Sequence, residues 1–185
     1  MAKRKGKEDV EDYLVSINCD QMEKLVSPIS GKFFGQDAPG DQPELFAPGV
    51  ISTAVGGHSN VVFSFDGKEA FWTEWNETES GYANGCTLWH SQVIDGNWSL
   101  PEVFLGLGDT PVFSTDGESL YCLYSTPREN SRARDSKIVK YARDDGSYKE
   151  MEDVNFDIGD NGLYWQFTLD SEKNLYYGNS YGLCM

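Results

Sequence analysis

The chain is poor in the residues that most often carry chemistry. It has only 2 histidines and 4 cysteines among 185 residues. Cys19, Cys86, Cys122 and Cys184 are far apart with no C-x-x-C, so neither a zinc knuckle nor a dithiol redox motif is present. Scattered cysteines in strand-like surroundings act as small buried hydrophobes, and their even number permits disulfides without arguing for them. No apolar run approaches the roughly 20 residues of a membrane-spanning helix. The basic cluster Lys3, Arg4, Lys5 and Lys7 is followed by acidic residues and not by an apolar core, so it does not read as a signal peptide. A frayed tail is its default reading, a contact with an acidic partner the alternative. Positive charge is also scarce: 15 Lys+Arg stand against 30 Asp+Glu, a net charge of -15. Such a field repels phosphate backbones and excludes nucleic acid as a partner of the main body. The motif D-x-D-x-D-G is absent, and no Ser-His-Asp set assembles from spacing. No cofactor, metal site or catalytic residue is therefore expected.

What is abundant points to strands and turns. Aromatic residues make up 14% of the chain, and 19 Gly and 7 Pro supply turns. Only the N-terminal region has helical periodicity: Val10, Tyr13, Leu14 and Ile17 share one face. A tail with a short helix is expected over residues 1–32, ended by the Pro- and Gly-rich stretch "SPISGKFFGQDAPGDQP".

Beyond it, one pattern recurs: "VVFSFDGKEAFW" at 61–72, "PVFSTDGESLYC" at 111–122 and, more loosely, "WQFTLDSEKNLYY" at 165–177. Each copy runs aromatic, hydroxyl residue, one residue, Asp, turn, apolar strand. Asp66, Asp116 and Asp170 recur at intervals of about 50 residues, the period of a β-propeller blade. The expectation is an all-β chain of four-stranded antiparallel blades over 33–185, near 59–105, 108–156 and, incomplete, 163–185. Asp66-Gly67 and Asp116-Gly117 suit the tight turn between the first two strands of a blade. Asp170 should serve the third, with Asn174 adopting the left-handed backbone that Gly supplies elsewhere. The outer strand of the first blade is expected in "NWSLPEVFL". The similar "PELFAPG" at 43–49 is expected to form a like strand upstream, suited to closing a ring.

These boxes resemble the Pro-x-Phe-Ser-Pro-Asp-Gly hallmark of TolB-type, WD40-like propeller repeats. Thr115 replaces one proline in the second copy, and Val61 and Phe65 replace both in the first. The lead-in "FFGQDAPGDQPELFAPGVIST" looks like bacterial extracytoplasmic members of that group. The resemblance implies a binding scaffold, a periplasmic or extracellular setting and a closed ring of commonly six blades. About two and a half units fit here, so the expectation is a piece of a larger propeller, or open edges completed by another chain.

Function must then reside in loops. His58 enters the first inner strand, where it is either a ligand-facing residue or a local hydrogen-bonding cap. Trp72, Glu74 and Trp75 set a carboxylate between aromatic platforms, a combination suited to sugars; a solvated acidic loop is the plain alternative. Asp157, Asp160 and Asn161 form an oxygen-rich group that a loop explains equally well, and "TPRENSRARDSK" is a basic loop in an acidic body. Two functions remain open: a non-enzymatic module for a protein or glycan partner, and a carbohydrate-active hydrolase or lyase.

Overall fold

The computed structural model describes residues 28–38, 40–53, 57–77, 83–127, 134–144, 147–150, 166–179 and 182–184. Within them the chain forms strands and one short helical turn, Lys32–Gly35. The strands are β1 (Ile29–Ser30), β2 (Gly57–Phe63), β3 (Glu69–Glu77), β4 (Ala83–Ile94), β5 (Asn97–Trp98) and β6 (Glu102–Gly106). There follow β7 (Gly108–Phe113), β8 (Ser119–Pro127), β9 (Arg134–Asp144), β10 (Ser147–Glu150), β11 (Gln166–Leu169), β12 (Leu175–Asn179) and β13 (Gly182–Cys184). The expected N-terminal helix lies outside the described residues, as do Asp157, Asp160, Asn161 and residues 128–133 of the basic loop.

The strands group into three antiparallel sheets, one per sequence box. The first runs β1-β5-β4-β3-β2, with β6 also paired to β4; the second is β10-β9-β8-β7; the third is β11-β12-β13. This is the architecture of propeller blades, the second with all four strands in order. The outer strand of the first blade is split: β5 pairs with one end of β4, and β6 pairs farther along it. Pro101 lies in the gap, and its ring nitrogen has no hydrogen to donate to a ladder.

Residues 43–49 depart from expectation. They form no strand, and their only β contact is an isolated bridge from Pro48 to Ser52. Phe46 and Ala47 instead turn inward onto the first sheet, where apolar burial outweighs the strand propensity of the segment. The strand that reaches the sheet from upstream is β1, through Ile29–Trp98 and Ser30–Asn97 pairs.

Strand alternation explains the layered core. Ala70 and Trp72 of β3 face the N-terminal segment, joined by Phe34, Ala47, Ile51 and Trp98. Phe71, one residue along, faces the second blade and meets Leu88, Leu120, Cys122, Val139 and Tyr141. Tyr121, Leu123 and Ile138 leave the other face of the second blade to meet Phe167 and Leu175 of the third. Each blade thus buries one face on each neighbour, and no blade has a core of its own.

Candidate functional site

The three Asp boxes form the turns at β2–β3, β7–β8 and β11–β12. In the first, Ser64 Oγ donates to Asp66 Oδ1 at 2.6 Å and accepts from the Glu69 amide at 2.9 Å. The Gly67 amide donates to the Ser64 carbonyl at 2.8 Å. The second repeats this with Ser114, Asp116, Ser119 and Gly117. Gly117 has φ 74°, a left-handed value that a side chain disfavours, and an added Cβ would lie 3.0 Å from the Phe65 ring. Serine hydroxyls hold the Asp66 and Asp116 carboxyls below the ordinary range, and Asn174 does the same for Asp170. A carboxyl lowered on folding stabilises the fold above its unfolded pKa, and that stability is lost as pH falls through the folded value. The Asp66 and Asp116 carboxylates accept only within their own turns among the described residues, while Asp170 also accepts from the Tyr176 hydroxyl of β12 at 3.1 Å.

The third box corrects one expectation. Lys173, not Asn174, is the left-handed residue, with φ 65°. Its amide donates to the Asp170 carbonyl at 3.1 Å, so it stands where Gly67 and Gly117 stand. Asn174 is used otherwise: its amide and its Nδ2 both donate to the Asp170 carboxylate at 2.9 Å.

The four candidate ligand residues lie on β2 and β3. His58 and Glu74 are direct cross-strand partners, so their side chains share a face. His58 Nε2 lies 3.1 Å from Thr53 Oγ1. Trp72 is on that same face but only 2% exposed, packed edge-on to Phe34. Trp75 is 38% exposed and emerges on the opposite face, across from Gly57 and Cys86. The sheet therefore brings together His58 and Glu74 and separates Trp75 from them.

Two further features lie outside the candidate residues that the sequence marks. The first is a buried carboxylate between blades. Glu69, 3% exposed, accepts from Arg143 Nη2 at 2.8 Å and from the Tyr148 hydroxyl at 2.5 Å. Burial, followed by the hydrogen bond to Glu69, pushes the Tyr148 phenol well above its usual range. Nearby, His90 is 5% exposed and stacked on Phe71, with Nδ1 3.3 Å from Glu102 Oε1.

The second is an open cavity of about 520 Å³ on the face of the first sheet that carries Trp72. Phe33, Phe46 and Phe63 are among its walls, and Asp37, Asp41 and Glu44 stand at its rim. The local chain explains the shape. Phe33 and Phe34 take left-handed backbone, φ 50° and 56°, which swings consecutive rings apart. Phe34 is buried and stacks on Trp98 with centroids 4.2 Å apart, while Phe33 stays 41% exposed. Gln36 closes the loop, donating to the Leu45 carbonyl and accepting from the Ala47 amide, at 2.9 and 2.8 Å. The stretch "FFGQDAPGDQPELF" reads as a helix-breaking lead-in; its usable signal is aromatic residues at both ends of an acidic turn.

No family model matches the chain, and no curated protein matches it. Among solved structures it is similar to a gluconolactonase of Xanthomonas campestris, at 19% identity and TM-score 0.48, over 69% of this chain and 42% of that one. It is also similar to hydrazine synthase of Kuenenia stuttgartiensis, at 16% identity and TM-score 0.45, over 69% of this chain and 38% of that one. The chain thus spans less than half the length of either neighbour.

Proposed function

We propose that the chain is a non-enzymatic binding scaffold of TolB-like propeller type, part of a larger propeller, that presents its first blade to a protein or glycan partner. The observation that carries this reading is the cavity against the first sheet. It has the size of a ligand pocket, about 300–1,000 Å³, at about 520 Å³, and it combines apolar walls with a few polar rim groups. Its loop is held by the Gln36 clasp and the Phe34 anchor, so little ordering is required on binding. Strands β2 and β10, at the ends of their sheets, offer another chain a second mode of contact by strand addition.

A carbohydrate-active hydrolase or lyase is the second reading, favoured by the pairing of His58 with Glu74. One experiment separates them: the chain is offered a panel of oligosaccharides and polysaccharides, with binding and product release followed together. The scaffold reading expects saturable binding without products. Product release that disappears in both Glu74→Gln and His58→Ala overturns it.

A further inference from the structure

We infer that the cavity against the first blade is a cage for an organic cation, and that its ligand is a lysine side chain on a basic segment of a partner protein. This rests on the scaffold reading and deepens it. The rings set the ligand class. Phe63 meets Phe33 at 5.2 Å and 89°, and Phe46 at 6.0 Å and 84°. Phe33, which is 41% exposed, lines one space together with Phe46 and Phe63. Each ring face carries the negative lobe of the ring quadrupole, which attracts an ammonium group.

The rim supplies full charge of the same sign. Asp37, Asp41 and Glu44 are exposed, and none has an ion-pair partner among the described residues. A loop that gathers three carboxylates beside three rings and leaves them uncompensated is complementary to a cation. The net charge of -15 adds long-range attraction for a basic partner.

Other ligands fit less well. Anions meet three carboxylates. A neutral sugar can stack on an exposed ring but gains no net-charge attraction from the acidic rim. A bare metal ion needs several oxygen ligands converging, whereas the walls are phenyl rings, and no metal-binding cluster occurs among the described residues. The space also exceeds an ammonium head alone, leaving room for the alkyl stem of lysine along the apolar walls.

The test titrates the whole chain with a short peptide of lysines spaced by glycine and serine, at low and high salt, with calorimetric readout. Its Nε-acetylated form and a neutral oligosaccharide serve as comparison ligands. The expected result is saturable binding of the lysine peptide that weakens as salt rises, and at least about fivefold weaker binding of the acetylated form. Phe33→Ala should weaken binding about fivefold, and Asp41→Asn combined with Glu44→Gln should flatten the salt dependence. These positions are exposed, so the fold is retained, and Phe33→Trp should preserve or strengthen binding. Equal affinity for the acetylated peptide, no binding of either peptide, or unchanged affinity in both variants overturns the cage. If the oligosaccharide alone binds, without products, the cage fails and the scaffold stands. Product release from the oligosaccharide overturns the scaffold whatever the peptides do.

Discussion

The second blade faces two neighbours with opposite sides of the same two strands, and the two interfaces are built differently. Toward the first blade, Leu120, Cys122, Val139 and Tyr141 pack on Phe71 and Leu88, and the contact is bordered by Glu69 with Arg143 and Tyr148. Toward the third blade, Tyr121, Leu123 and Ile138 pack on Phe167 and Leu175, all of them apolar or aromatic. Apolar contact is non-directional and sets the distance between sheets. A charged hydrogen-bonded group is directional and also sets their register. The first joint therefore has a defined angle as well as a defined separation, which suits the blade that carries the cavity.

The largest effect expected from this difference is at Phe71. It is fully buried and touches the rings of His90, Phe104, Phe113 and Tyr148. Phe71→Ala should lower stability by about 3–5 kcal/mol in urea unfolding, with Phe167→Ala at the lower end of that range. Equal losses at the two positions would erase the asymmetry. A smaller effect is expected from the charge. Glu69→Gln keeps an acceptor for Tyr148 and removes the ion pair; a loss of about 2 kcal/mol is expected, below that of a fully buried pair because Arg143 reaches water. Combined with Arg143→Met in a double-mutant cycle, the coupling should be about 1–2 kcal/mol. Coupling near zero would reduce the first joint to packing alone.

The blades were legible because their signal is local and repeated. A Ser/Thr-x-Asp box followed by an apolar run specifies a turn and the strand after it, and three copies at a near-constant interval specify an array. The split outer strand was not legible as such, although Pro101 marks the break. "PELFAPG" misled because its likeness to "PEVFLGLG" is one of composition, while Phe46 and Ala47 follow the demand for burial on the first sheet. The Glu69 group was invisible for a different reason. Its partners lie more than seventy residues away and follow no repeat, and an acidic residue in this sequence reads as surface until the packing of two blades encloses it. Of the candidate ligand residues, the pairing of His58 with Glu74 depends on the β2–β3 register, which a bulge between His58 and Val61 shifts.

The smallest expected effect lies in the turn of the third box, and its sign is what makes it informative. Lys173 takes φ 65° where Gly67 and Gly117 take 69° and 74°. An L-residue in that region is strained by about 1–2 kcal/mol, because its Cβ approaches the backbone carbonyl. Lys173→Gly removes that strain but gives the unfolded chain more freedom, so a net gain of about 0.5–1 kcal/mol is expected. The reverse change, Gly117→Ala, should cost about 1 kcal/mol or more, since its Cβ would also press on Phe65. Lys173 is exposed, but its charge also helps lower the Asp116 carboxyl of the second blade, so Lys173→Ala, which removes the charge and keeps the strain, is the reference for the backbone effect. If the third blade is held by packing alone, a firmer turn should appear as slower hydrogen exchange in β11 and β12, with β3 and β4 unchanged. Slower exchange across all three blades would instead mean that the apolar joint transmits as well as the charged one, and the contrast between the two interfaces would then be one of chemistry without mechanical consequence.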